Sequence, residues 1–148
     1  MSERIAPYTR RVFYYETDKM AIVHNSNYLR IFEEARLDYM EKAGLDYPAL
    51  EARGVLIPVV SASVRYLSPL RYGDEFSVET RMTAFNGIRF SYAYQVFRAE
   101  DGLLCAEGAS EHCFLDEAAR VPVALRRREP EMYNVWKQLM EEETANGK

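Results

Sequence analysis

The spacing of apolar and polar positions changes character twice along the chain. From Tyr8 to Tyr15 the residues are largely β-branched or aromatic (Val12, Phe13, Tyr14, Tyr15), and the segment reads as a strand. Glu16 to Asn25 breaks that pattern. From Ser26 to Ala43 apolar residues recur every three or four positions: Tyr28, Ile31, Phe32, Ala35, Tyr39, Met40 and Ala43. That period predicts one long amphipathic helix, with Arg30, Glu34, Asp38 and Glu41 on its other side. Asn25, Ser26 and Asn27 all offer N-cap chemistry, and Gly44 supplies a C-terminal stop. Asp46 to Arg53 predicts a shorter second helix, ended by Gly54.

From Leu56 onward the period is two. Val60, Ala62, Val64 and Tyr66 alternate with Ser61, Ser63 and Arg65. After Ser68-Pro69 and the turn Tyr72-Gly73-Asp74, Phe76, Val78, Thr80, Met82 and Ala84 form one face of a second run. Ile88, Phe90, Tyr92, Tyr94 and Val96 form one face of a third. Asn86-Gly87 lies between the two and is a strong hairpin signal. A two-residue Asn86-Gly87 loop would set Phe85 opposite Ile88 and mismatch the apolar faces. A three-residue loop, Phe85 to Gly87, sets Ala84 opposite Ile88 and Met82 opposite Phe90, and the faces then coincide. The pattern therefore predicts a type I turn with Gly87 left-handed in a G1 bulge.

Asp101-Gly102 marks another turn, and Leu103 to Asp116 reads as a last strand with Gly108 as a bulge or close-contact point. Pro130 sits where a helix can start, and Met132, Val135, Trp136, Leu139 and Met140 form an amphipathic stripe beyond it. The expected organisation is one domain over residues 1–148, with a C-terminal helix at about 130–143. About five strands, four of them consecutive, imply an antiparallel sheet whose apolar face the long helix covers.

Composition narrows the chemistry. The chain has 148 residues, 48% hydrophobic and 28% charged, which excludes disorder and a disulfide-stapled miniprotein. A net charge of −4 argues against binding bulk nucleic acid. His24, His112, Cys105 and Cys113 are the only histidines and cysteines, at spacings that match no usual zinc pattern. On a regular strand Cys105 and Cys113 would lie ~26 Å apart, too far to bridge. Met1 to Ile5 has no apolar signal core, and no run is long enough to span a membrane. The expectation is a soluble, cytoplasmic protein.

The segment Tyr14 to Tyr28 is too apolar for a solvated loop, and it leads into a helix N-terminus, where free N–H groups favour developing negative charge. Asp18 precedes that terminus. An oxyanion site beside an acid suggests acyl-transfer chemistry; the competing reading is that Asp18 only satisfies loop amides. Glu33 and Arg36 read as an intrahelical or buried ion pair. His112 reads as structural, and Ser61 and Ser63 lack the partners of a serine nucleophile.

Tyr14-x-x-x-Asp18-x-Met20-x-x-Val23-x-Asn25-x-x-Tyr28, followed by Phe32-Glu33-x-Ala35-Arg36, resembles the hotdog-fold acyl-CoA thioesterases of the 4-hydroxybenzoyl-CoA thioesterase and YbgC-like group. Arg65-Tyr66-x-x-Pro69-x-x-Tyr72-Gly73-Asp74 matches as well. The resemblance spans roughly residues 10 to 116. It implies an α+β hotdog fold, a five-stranded antiparallel sheet in the order 1-5-3-4-2 or a close variant wrapped around one central helix. It implies homodimers that share active sites, often paired into homotetramers. By position, Asp18 is the implied catalytic carboxylate, acting as nucleophile or as base for water. The Asn25 backbone N–H is the implied carbonyl-polarising donor, and Tyr14 the implied site tyrosine. Val23 and Tyr28 count among the substrate-binding candidates. Arg65, Arg71 and Arg89 are candidates for the coenzyme A phosphates, with a solvated sheet edge as their alternative. The pattern departs at Asn25, where YbgC-like members usually carry His; His24 stands one residue earlier as a candidate acid/base. The implied activity is hydrolysis of an acyl-CoA to the free acid and coenzyme A, with no metal or cofactor. Alternatives are an acyl-[acyl carrier protein] thioesterase and a non-catalytic acyl-CoA-binding module.

Overall fold

A computed structural model describes residues 4–147. Met1, Ser2 and Glu3, on which part of the N-terminal reading rests, lie outside the described residues. Strand β1 (Tyr8–Arg11) is shorter than its predicted run. Phe13 is followed by a 3-10 turn, Tyr14–Glu16, so the aromatic pair Tyr14-Tyr15 leaves the sheet. Helix α1 (Asn27–Ala43) buries Tyr28, Ile31, Phe32, Ala35, Tyr39 and Met40, the face its period predicts. Gly44 ends it at φ +74°, with its N–H on the carbonyls of the last turn. Helix α2 (Tyr47–Ala52) is capped by the Asp46 side chain, which accepts the Ala49 amide.

The remaining strands are β2 (Val55–Leu56), β3 (Val59–Tyr66), β4 (Glu75–Phe85), β5 (Arg89–Arg98), β6 (Leu104–Cys113) and β7 (Leu115–Asp116). The antiparallel main sheet has the order β1-β4-β5-β6-β3, and β2 pairs with β7. Counting only the five long strands, the order is 1-3-4-5-2, not 1-5-3-4-2. The tight turns after β4 and β5 keep three consecutive strands side by side. The strands that flank α1 in sequence are thereby left for the two edges. Helices α3 (Leu125–Arg128) and α4 (Pro130–Asn146) complete the chain, with Pro130 in the first turn of α4.

The β4–β5 hairpin corrects the predicted loop. Phe85 pairs with Phe90, and the Asn86 N–H donates to the Arg89 carbonyl at 3.0 Å, so the loop is Gly87-Ile88. The Asn86 Oδ1 accepts the Ile88 and Arg89 amides at 2.9 and 2.7 Å. Gly87 is left-handed, as expected, at φ +88°. The extra residue lies inside β4, where Met82 faces Tyr92 but Ala84 faces Ser91, leaving Thr83 as the irregularity. The apolar faces still coincide through Met82. Beyond the bulge the faces exchange: Ala84 turns outward, and Phe85 turns in to stack on Trp136 at 5.9 Å. Burying a phenylalanine instead of an alanine favours this solution by on the order of 1 kcal/mol.

Trp136 of α4 is fully buried among Phe85, Phe90 and Phe114. Gly108 in β6 is a close-contact point: a Cβ there would meet the Phe32 ring and lie 2.5 Å from the Ser63 carbonyl oxygen. Cys105 and Cys113 are free and buried on one strand. The alternation of β3 gives no buried row. It is an edge strand, and Val60 and Tyr66 are exposed.

Candidate active site

The segment between β1 and α1 is a compact hairpin-like loop. Thr17 and Val23 form an isolated antiparallel bridge, and the Asp18 N–H donates to the Ile22 carbonyl at 3.0 Å. Ala21 takes a left-handed φ of +63°, and its amide returns to the Asp18 carbonyl at 2.9 Å. The loop is stitched to the turn before β4: Val23 N–H donates to the Leu70 carbonyl at 2.8 Å, and Ile22 bridges Arg71.

Its base is a buried ion-pair network that the sequence reading missed. Glu16 is 3% exposed and takes both guanidinium nitrogens of Arg10, at 2.8 and 2.7 Å, plus the Phe13 amide at 2.8 Å. Arg10 also donates from Nε to Glu34 of α1 at 2.7 Å. Burial acts to raise the Glu16 pKa, but the Arg10 and Phe13 hydrogen bonds outweigh it and hold the carboxyl below its ordinary value. The Glu16 carbonyl accepts the His24 amide at 2.8 Å and the Asn27 side-chain amide at 2.9 Å. One residue thus ties β1, the loop and the start of α1. The available signal was an acid three residues after an extended position, a pattern too common to single out.

Asp18 is half-buried, and one carboxylate oxygen accepts the Met20 amide at 2.8 Å. Its other oxygen has no protein donor among the described residues. At the helix start, Asn27 N–H donates to the His24 carbonyl and Tyr28 N–H to the Asn25 carbonyl. The Asn25 N–H has no acceptor among the described residues. Asn25 is exposed, so this is an open donor at the positive end of a helix of 17 residues.

The other candidates are distributed unevenly. Tyr14 is 74% exposed, and its ring meets Tyr72 edge to face at 5.5 Å. The His24 Nδ1 lies 2.8 Å from the Ser26 hydroxyl, and no hydrogen bond joins His24 to Asp18 among the described residues. Val23 and Tyr28 are core residues of this chain; burial raises the Tyr28 pKa and keeps its hydroxyl protonated. Tyr28 packs edge to face on Tyr66, whose hydroxyl donates to the Asn25 carbonyl at 3.3 Å. Arg71 is exposed beside the loop. Arg65 on the edge strand β3 reaches Glu107 of the neighbouring β6 at 3.6 Å. Arg89 lies at the far end of β5 from Arg98, whose guanidinium reaches the Pro69 carbonyl next to the loop's anchor, Leu70. That separation is ~30 Å along one strand, so one chain does not gather the three arginines.

Glu33 and Arg36 do not pair with each other among the described residues. Arg36 donates to the Tyr94 hydroxyl at 3.2 Å, which contacts Ser110 at 2.6 Å, which contacts His112 Nε2 at 2.7 Å. Arg36 and Ser110 of this series line a cavity of about 390 Å³ between α1 and β3, walled also by Phe32, Val59 and Ala62. No group of three or more metal-ligating side chains exists among the described residues.

Asp18 thus keeps one carboxylate oxygen without a protein donor and Asn25 keeps an open helix-terminal N–H, among the described residues; an acid and an open backbone donor are the kinds of group that acyl transfer uses. The model of the thioesterase-like superfamily matches residues 12–137. This chain belongs to that superfamily. A solved structure of a DHNA-CoA thioesterase from Staphylococcus aureus superposes with a TM-score of 0.89 at 30% identity, covering 97% of this chain and 95% of that one. The acyl-CoA thioester hydrolase YbgC of Escherichia coli is 29% identical over 64% of this thioesterase-like chain and 70% of its own. The 1,4-dihydroxy-2-naphthoyl-CoA hydrolase of Crocosphaera subtropica is 28% identical over 80% of this chain and 88% of its own. The α+β architecture is the hotdog fold of these relatives.

Proposed function

We propose that this thioester hydrolase cleaves an acyl-coenzyme A to the free carboxylic acid and coenzyme A. Asp18 acts as nucleophile on the thioester carbonyl or as base for water, and the Asn25 N–H stabilises the oxyanion. The open Asn25 donor at the start of α1, together with the partly free Asp18 carboxylate on the loop that leads into it, carries the reading. The relatives named for acyl-CoA hydrolysis support it. Attack at the carbonyl carbon moves negative charge to the carbonyl oxygen, where the helix N-terminus is most favourable. Collapse expels the coenzyme A thiolate. With Asp18 as base, the proton it took from water passes to the thiolate. With Asp18 as nucleophile, the thiolate takes a proton from solvent, and water then hydrolyses the acyl–Asp18 anhydride to the free acid, restoring the carboxylate.

The working unit in this reading is a cytoplasmic homodimer or homotetramer. The support is β3: an edge strand that leaves Val59, Val60 and Tyr66 about half exposed, a surface that a second copy covers. No described helix is long and apolar enough to cross a membrane.

The test is thiol release from a panel of acyl-CoAs by wild type and Asp18→Asn. The expected result is turnover on part of the panel and a loss of about a hundredfold or more in kcat for Asp18→Asn. Absence of turnover on every acyl-CoA, or an Asp18→Asn variant as fast as wild type, would overturn the mechanism.

A further inference from the structure

The geometry points to a nucleotide-binding platform at the mouth of the Asp18 loop, with Tyr14 and Tyr72 as the stacking surface and Arg71 and Lys19 as the phosphate contacts. It rests on the reading that the leaving group is coenzyme A, and it assigns the end of that molecule far from the thioester.

Tyr14 and Tyr72 come from segments 58 residues apart, one in the 3-10 turn and one in the turn between β3 and β4, yet their rings meet at 5.5 Å. They stay 74% and 63% exposed, while Tyr39, Tyr92 and Tyr94 elsewhere in the chain are closed into the core. Tyr15 adds another exposed ring on the same turn, stacked at 5.6 Å on Phe13, over which the Arg10 guanidinium lies. Exposed rings held by other rings rather than by the core present flat faces to solvent at small entropic cost. Such faces accept a nucleobase.

Charge separates a nucleotide from a purely apolar occupant. Arg71 precedes Tyr72 and is bridged to Ile22, so its side chain starts at the loop's edge. Lys19 follows Asp18 directly. Both are exposed, and neither has a carboxylate partner among the described residues. Two unpaired cations beside open aromatic faces, in a chain of net charge −4, suit a base that carries phosphate groups. The cations alone would also suit the acidic surface of an acyl carrier protein. The ring faces favour the nucleotide.

One acyl group presented on coenzyme A, on pantetheine (which lacks the nucleotide) and on acyl carrier protein tests the platform. For Tyr72→Ala the ratio of kcat/KM on coenzyme A to that on pantetheine is expected to fall about tenfold, mainly through KM. Tyr72→Phe keeps the ring and should keep the ratio, and Arg71→Ala should lower it. An unchanged ratio in Tyr72→Ala, an equal loss on both small thioesters, or a loss confined to the carrier-protein thioester overturns the platform. If wild type cleaves no thioester, the hydrolase reading fails on its own. Calorimetry with adenosine 3′,5′-bisphosphate then still decides: binding about tenfold weaker in Tyr72→Ala supports the platform, and equal or undetectable binding in wild type overturns it.

Discussion

Arg10 and Glu16 form a two-pronged ion pair, Nη1 to Oε1 at 2.8 Å and Nη2 to Oε2 at 2.7 Å, with 11% and 4% of their side chains exposed. The pair lies at the foot of the loop that carries Asp18. Glu16 also ties that loop to the start of α1, because its carbonyl accepts the His24 backbone amide and the Asn27 side-chain amide.

Glu16→Ala leaves the Arg10 charge with Glu34 alone and should cost about 3 kcal/mol or more, measured by denaturant unfolding. The same group gives stability a pH dependence. Its folded-state pKa is depressed below the ordinary carboxylate value of about 4.3. The stabilisation is therefore full above that value and is lost as pH falls through the depressed one. Wild type should lose stability over that acid range more steeply than Glu16→Gln.

His112 should act over a milder range. Burial, aided by the nearby Arg36 charge, pushes its pKa down to about 4. The unfolded chain takes up a proton near pH 6.5, which the folded chain refuses until about pH 4, so folding stability falls as pH drops between the two. Unfolding curves from pH 7 to pH 4 should show a decline on the order of 1–3 kcal/mol attributable to this residue. His112→Gln should flatten it.

Gly108→Ala should destabilise by about 1–3 kcal/mol, because the new methyl group would meet a backbone carbonyl that cannot swing away. A melting temperature equal to wild type would mean that β3 or Phe32 yields.

The His24 ring nitrogen is committed to Ser26 rather than to Asp18. His24→Ala should therefore lower kcat/KM by less than about tenfold, far less than Asp18→Asn. A loss equal to that of Asp18→Asn would make His24 part of the acid/base machinery.

Much of the fold is local information. The 3–4 spacing from Tyr28 to Met40 and the positive-φ stops at Gly44 and Gly87 are legible because neighbouring residues alone decide them. Apolar parity in the β4–β5 hairpin is legible too, since Met82 does meet Tyr92 across the strands. Its turn was not, because the choice between Gly87 and Thr83 for the irregularity depends on Trp136, about 50 residues downstream of the bulge, which makes Phe85 worth burying.

The candidate site divides in the same way. Asp18, the helix start at Asn25 and the apolar loop between them could be read from residues a few positions apart. The Arg10–Glu16–Glu34 network, the Tyr14–Tyr72 ring contact and the remoteness of Arg89 could not. Sequence periodicity records which face of an element is apolar. Which segments meet across 24 or 58 residues is decided only when strand order brings them together, as the edge placement of β1 and β3 does here.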